Sequence, residues 1–262
     1  MKNKSEEIIK KHYEGYEEDI RFTKSKGTAV EFFTNMHYIK KFIKKGDKVL
    51  EIGTATGAYA IELAKQGFDV TAIDLVQYNI DVLNKKAQDI KNLTAEKGDA
   101  LDLSKFAENS FDMVLCFGPL YHLYSKQERM QAINEAIRVC KKDGILMFAF
   151  LTYSSIVWAD GILWQQIDKI QEYMDKDGRL QNRPENVFSG YFIEDFEMQF
   201  ENLNTQHIVN VASDGLAYIF RDYIDALPEN KYKMFLNWHL STCERRDQQG
   251  LSAHMLYICK KT

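Results

Sequence analysis

Proline is scarce in this chain, three in 262 residues, and cysteine is little commoner at four. So little proline, with no low-complexity stretch and no internal repeat, excludes a linker-rich or disordered chain. Cys116, Cys140, Cys243 and Cys259 stand far apart, with no CxxC pair and no histidine pair beside them. That spacing excludes a zinc ligand set and a disulfide framework. Each cysteine reads as a small buried hydrophobe, no metal is expected, and a reduced cytoplasm is the expected location. Long hydrophobic runs are missing too: the longest, ILMFAFL at 145–151, is too short to cross a bilayer, and MKNKSEEIIKKHYEGYEED lacks the apolar core of a signal peptide. There is no positive excess either. The formal net charge is -4 and the lysines are scattered in short pairs such as KKGDK and NKKAQ. A nucleic-acid binder concentrates positive charge to displace counterions from phosphates. Neither a membrane nor a nucleic-acid partner is therefore expected.

What is present is a folded composition, 45% hydrophobic and 27% charged, at a length suited to one large α/β domain with insertions. KVLEI (48–52) and FDVTAI (68–73) are β-branched runs flanking a helical segment, a first βαβ unit. Val76, Ile80, Leu83, Ala87 and Ile90 then mark an amphipathic helix. A third short strand ends at KGDA, FDMVLC (111–116) is a fourth, and Met130, Ile133, Ile137 and Cys140 follow at helical spacing. DG at 143–144 leads into ILMFAFL, which is apolar on both faces, as the centre of a parallel sheet requires.

This alternation specifies a Rossmann-like, doubly wound α/β fold with a seven-stranded sheet, mostly parallel with an antiparallel edge strand, plus helical cap insertions. The expected division has residues 1–46 as a helical lid, 47–151 as the core, 152–190 and 213–252 as caps, and 191–212 with 253–262 completing the core. In the first cap, Leu163, Ile167, Ile170 and Met174 suggest one helix; in the second, Tyr232, Phe235, Leu236, His239, Leu240 and Cys243 suggest another. Ile193, Phe196, Phe200 and Leu203 form a further stripe before the strand HIVNVA (207–212), and AHMLYIC closes the chain.

The first turn reads Gly53-Thr54-Ala55-Thr56-Gly57. In a dinucleotide site the middle residue is glycine, so that backbone can approach a pyrophosphate. Here the Ala55 methyl crowds that approach, and Glu51 just before it adds negative charge. A ligand with an adenosine, no phosphate and a positive end fits better. Asp74, at the end of strand two, stands where doubly wound folds place a ribose acceptor, with helix N-capping as its alternative role.

EIGTATG, AID, KGDALDLSKFAENSFDMVLCFGPLYHL and NEAIRVCKKDGIL together resemble the class I S-adenosylmethionine (SAM)-dependent methyltransferases, in particular their small-molecule branch, over residues 45–151. Lys142-Asp143-Gly144 departs from the proline and two glycines more usual there. The tail HLSTCERRDQQGLSAHMLYICKK is similar to one bacterial branch. The resemblance implies SAM as cofactor and S-adenosylhomocysteine as product. It places the backbone of Gly53, Thr54, Ala55 and Gly57 on the methionine and ribose, Asp74 on the ribose, Leu75 on adenine, Asp99 with Ala100 at the adenine amino group, and Phe117 with Gly118 beside the methionyl group.

Methyl transfer to an activated donor is mostly alignment, and an acceptor such as an alcohol also wants a base. His122 in GPLYHL is the candidate base, against a role in holding its own loop, and Tyr121 a candidate neighbour of the sulfonium. The stripe Ile9, Tyr13, Tyr16 and Ile20 suggests a helix across the cofactor mouth, making Tyr13 and Arg21 candidates for the SAM carboxylate end. Trp158, Trp164, Tyr191 and Arg245 are candidate substrate contacts in and around the caps, although helical aromatics are commonly core, His239 shares an apolar stripe, and Glu244–Asp247 reads as a self-paired surface. The expected partner is a small-molecule acceptor whose reacting atom is O, N or S, with the protein a monomer or a homodimer. The alternatives are methylation of a peptide or protein terminus, and a SAM-binding regulator without turnover.

Overall fold

The computed structural model describes residues 7–11, 13, 18–183 and 186–262. Residues 7–11 and 13 are helical, and Tyr16 lies outside the described residues. In chain order the main elements are α1 (Lys26–Phe42), β1 (Lys48–Ile52), α2 (Ala58–Lys65), β2 (Asp69–Asp74), α3 (Gln77–Lys86), β3 (Leu93–Lys97) and β4 (Phe111–Cys116). There follow α4 (Lys126–Val139), β5 (Cys140–Thr152), α5 (Tyr153–Ile156), α6 (Ile167–Gln171), β6 (Gly190–Tyr191), α7 (Ile193–Glu197) and β7 (Thr205–Ala212). The chain ends with α8 (Arg221–Asp225), α9 (Glu229–Thr242), α10 (Arg246–Gln249) and β8 (His254–Lys261).

The sheet runs β3-β2-β1-β4-β5-β8-β7, with the two-residue β6 added beside the end of β5. Pairing is parallel from β3 to β5, and β8 is antiparallel to both β5 and β7. The reversed strand therefore lies one place inside the edge. The chain lays β2 and β3 on one side of β1 and then crosses back to place β4 on the other, so the C-terminal ends of β1 and β4 open a crevice, the usual ligand position of such sheets. Val49, Leu50, Val114, Leu146 and Phe148 are fully buried, as near-continuous apolar strands covered on both faces must be. Stacked pairs Phe150–Phe196, 3.9 Å between centroids, and Phe200–Tyr257, 4.1 Å, tie the segment after β6 to the antiparallel half.

Two expectations about elements change. β5 does not begin at Ile145: it starts at Cys140, because Asp143 adopts φ 62° and lets pairing run through a register shift opposite Phe111 and Met113. Nor is the first cap one helix. α5 passes into a π-helical turn over Val157–Leu163, Gln165 at φ 54° breaks the winding, and α6 restarts, leaving Leu163 and Ile167 exposed while Ile170 is buried.

Helix α1 and the segment 213–252 share a small core. Val30 of α1 packs with Ala217, Ile224 and Tyr232. Asp225 accepts from Ser25 Oγ at 2.8 Å and from the Gly27 amide at 2.9 Å, and Tyr232 donates to the Lys26 carbonyl at 2.8 Å. The first cap has its own small cluster of Tyr153, Ile170 and Leu180.

Candidate functional site

The glycine turn is held by contacts that cross the sheet. The Gly53 and Thr54 amides donate to the Ile73 carbonyl at 2.8 and 3.1 Å, closing the turn against β2. Gly53 has φ 80°, and a Cβ there would stand 2.6 Å from both the Phe117 carbonyl oxygen and Pro119 Cδ. The loop after β4 therefore lies against the turn only because this residue lacks a side chain. Ala55, at φ 47°, is a left-handed non-glycine residue. Its amide donates to Asp74 Oδ2 at 2.8 Å, which holds that conformation.

Asp74 is held by donors from both neighbouring segments. Its Oδ1 accepts from the Val76 amide at 2.8 Å and the Asn79 side chain at 3.2 Å, so it braces the entry to α3 as well as the glycine turn, although Val76 itself is the N-cap and no side chain caps the helix. A carboxylate offers about four lone-pair positions, which leaves room for further donors from a ligand. Burial raises its pKa against these donors. Glu51 is 1% exposed and accepts from Thr54 Oγ1 at 2.9 Å. Burial pushes its carboxyl up to about 8, and among the described residues it has no ion-pair partner.

One cavity gathers these groups. Glu51, Gly53, Thr54, Ala55, Asp74 and Leu75 line it together with Asp99, Ala100, Phe117 and Gly118, and Tyr13, Arg21, Tyr121 and His122 complete the lining. Gly57 does not line it: a Cβ there would meet Leu83 Cδ1 at 2.2 Å, so this glycine lets α2 pack on α3. Tyr59, Phe22 and Glu31 also line the cavity and were not singled out in the sequence. Tyr59 is part of a buried polar chain, its hydroxyl accepting from Asn35 Nδ2 at 3.0 Å while Ser213 donates to Asn35 Oδ1 at 2.8 Å.

His122 is buried with both ring nitrogens engaged. Nδ1 lies 2.8 Å from the Val187 carbonyl and Nε2 2.9 Å from the Tyr13 hydroxyl. A carbonyl only accepts, so Nδ1 carries the proton and Tyr13 donates to Nε2. His122 thus joins the lid to the end of the first cap. Ser189 reinforces this latch, its amide donating to the Tyr121 carbonyl at 2.7 Å.

A second cavity of about 440 Å³ adjoins the first and shares Tyr13, Arg21, Glu31 and Tyr121 with it. Trp164 lines this second cavity. The other three substrate candidates do not. Trp158 is exposed, Tyr191 is buried with its hydroxyl donating to the Leu120 carbonyl at 3.2 Å, and Arg245 pairs at the surface with Asp247 at 3.0 Å. Arg21 ion-pairs with Glu31, so it stands between the cavities and not simply at the methionine end of the first. His239 is a core histidine, 3.1 Å from Thr34 Oγ1 and lowered in pKa by burial.

The second cavity holds a cluster without a sequence signature. Asp214, 2% exposed, accepts through Oδ1 from Ser252 Oγ at 2.8 Å and from the Ala253 and His254 amides at 2.9 and 3.1 Å. Its Oδ2 meets His254 Nδ1 at 2.7 Å, and Arg21 Nη2 approaches His254 Nε2 at 3.1 Å. Donor atoms of Glu31, Asp214 and His254 lie within 4.8 Å of one another. The Arg21 guanidinium already supplies positive charge to that cluster.

Residues 50–148 match a family described as a methyltransferase domain. A glycine/sarcosine N-methyltransferase of Aphanothece halophytica is 29% identical over 154 residues, covering 58% of this chain and 56% of the relative. The chain spans about half the length of the curated relatives it matches. Among solved structures, a SAM-dependent methyltransferase of Methanosarcina mazei superposes with TM-score 0.57 at 16% identity, over 86% of this chain and 96% of that one. The [4+2]-cyclase SpnF superposes with TM-score 0.58 at 14% identity, over 88% and 81%. A glycine cradle that a Cβ would fill, a buried carboxyl and an acid at the end of β2 all fit SAM, and the domain match identifies residues 50–148 as a methyltransferase domain in the fold of the SAM-dependent methyltransferases.

Proposed function

We propose that the protein transfers a methyl group from SAM to a small-molecule acceptor enclosed beneath the lid and caps. The observation that carries this reading is the second cavity. At about 440 Å³ it falls within the range of small-ligand sites, it shares Tyr13, Arg21, Glu31 and Tyr121 with the cofactor crevice, and it is walled by Tyr121, Trp164, Tyr173 and Phe188. SAM supplies an electrophilic methyl on a sulfonium. The residues of the chain then bind, orient and exclude water.

In this reading Asp74 accepts from the ribose, Leu75 and Ala100 pack on adenine with Asp99 at its amino group, and the Gly53–Ala55 backbone faces the methionine. Glu51 faces the ammonium, whose charge gives the buried carboxylate the partner it lacks. Tyr121 stands where the two cavities meet, with its ring available to the sulfonium. His122 holds the lid and first cap together over the mouth.

The glycine/sarcosine methyltransferase of Aphanothece halophytica supports a small acceptor. The fold alone does not decide the reaction, as the cyclase neighbour illustrates. The test is incubation with methyl-labelled SAM and a cell extract separated into small-molecule, protein and nucleic-acid fractions. Label in the small-molecule fraction is expected. Label confined to protein would favour methylation of a peptide or protein terminus, and bound SAM with no label in any fraction would favour a regulator.

A further inference from the structure

We infer that the acceptor is an amine that enters protonated, and that His254, held by Asp214, takes its proton before the methyl is transferred. The inference rests on the methyl-transfer reading above.

Three observations carry it. The first is the orientation of the imidazole. A guanidinium has no acceptor, so Arg21 Nη2 at 3.1 Å must donate to His254 Nε2, which places the ring proton on Nδ1, 2.7 Å from Asp214 Oδ2. Asp214 is itself fixed by donors from Ser252, Ala253 and His254. A buried carboxylate that fixes the tautomer, with the opposite nitrogen left as the acceptor, is the arrangement of a general base and its positioning residue.

The second observation is location. His254 begins β8 and Asp214 follows β7, at the end of the sheet where the parallel strands terminate. Their partners Arg21 and Glu31 line both cavities, so the dyad faces the acceptor cavity beside its junction with the cofactor crevice.

The third is charge. Glu31, Asp160 and Asp214 line the second cavity against Arg21 and Arg221, and Arg21 is already paired with Glu31. Asp160 has only burial acting on its carboxyl, which raises its pKa, and no ion-pair partner among the described residues. An anionic cavity with aromatic walls suits an ammonium. The Arg21 guanidinium, donating to both the Glu31 carboxylate and His254 Nε2, marks the place such a donor would take.

The groups facing His254 are Glu31, Asp214, Arg21 and the Tyr218 ring. Burial works against its imidazolium, but Glu31 and Asp214 outweigh it and hold the pKa above the ordinary histidine range. When the ammonium replaces Arg21, one proton passes from its nitrogen to His254 Nε2. The freed nitrogen lone pair forms the N–CH₃ bond as the methyl–sulfur bond breaks, the electron pair staying on sulfur. The proton on His254 then leaves to solvent.

The test uses full-length wild type, His254→Asn and Asp214→Asn with methyl-labelled SAM and the small-molecule fraction, with S-adenosylhomocysteine affinity measured for each. Expected are label on nitrogen and a fall in kcat of about 100-fold or more in His254→Asn. KM for SAM and S-adenosylhomocysteine affinity should stay near wild type, and the wild-type rate should rise with pH through a single step that His254→Asn lacks. A readout independent of turnover is the histidine ¹⁵N spectrum with S-adenosylhomocysteine bound: above the His254 titration Nε2 should be the unprotonated nitrogen and Nδ1 the protonated one, and Asp214→Asn should lower that titration. Label on oxygen, sulfur or carbon overturns the amine acceptor. A His254→Asn rate within about threefold of wild type, or an Nε2–H tautomer, overturns the base. No label in any fraction with S-adenosylhomocysteine still bound overturns the methyl-transfer reading and this inference with it.

Discussion

At the residue scale the strongest constraint is a carboxyl in the wrong solvent. Glu51 is fully buried at the end of β1, and its pKa rises from the ordinary 4.5 to about 8 chiefly through burial. A group raised in the folded state contributes stability that is fully present below its unfolded pKa and lost as pH rises through the folded one. Ligand-free protein should therefore lose stability between about pH 4.5 and 8, and Glu51→Gln should flatten that decline, as urea midpoints across the range will read. A cation at this carboxyl reverses the preference, so S-adenosylhomocysteine should release a proton on binding near pH 6.5. Calorimetry in buffers of different ionisation heat will detect that release, and Glu51→Gln should abolish it. Gly53→Ala is the steric counterpart. The added Cβ meets a backbone carbonyl at 2.6 Å at a positive φ, which should weaken cofactor binding by roughly tenfold or more, about 1.4 kcal/mol. These residues were legible in the sequence because their work is local: glycines, Asp74 and Glu51 lie within one β1–α2–β2 unit. The Asp214–His254–Arg21–Glu31 network was not, since Arg21 and His254 lie 233 positions apart and no periodicity connects them.

At the scale of elements, the strands could be read from β-branched and apolar runs, while the caps could not be read in detail. One left-handed residue, Gln165, was enough to split the helix that the stripe Leu163, Ile167 and Ile170 suggested, and nothing in its side chain announces that conformation. The N-terminal stripe was informative in part. Ile9 is buried and Tyr13 reaches His122, whereas Ile20 is exposed. Through Tyr13 and His122 this segment bridges the crevice to Val187. Removing residues 1–20 should thus lower S-adenosylhomocysteine affinity about tenfold, the loss of one or two partly buried hydrogen bonds and the packing around them. The ligand-free melting temperature should change little, because α1 keeps its Ser25 cap and its packing on the second cap. His122→Ala should reproduce the affinity loss. Unchanged affinity in both would show that the segment does not close the site.

For the whole molecule, the two insertions are anchored so differently that they should move differently. Residues 213–252 share a core with α1 and are tied to it by Asp225, Lys26 and Tyr232. The first cap leaves Trp158, Ile162, Leu163 and Trp164 largely exposed and rests on a small separate cluster, with the latch through Ser189 and His122 at its far end. In the proposed reading the enclosed acceptor enters past the first cap, since local opening free energy follows buried contacts. Amide hydrogen exchange should therefore be faster over residues 157–171 than over 229–242 in the ligand-free protein. Adding S-adenosylhomocysteine should slow exchange at 18–23 and 117–123, where the crevice closes, and only the further addition of the labelled acceptor, once isolated, should slow 157–171. Equal protection of both caps before any ligand is added would mean that the acceptor does not enter past the first cap.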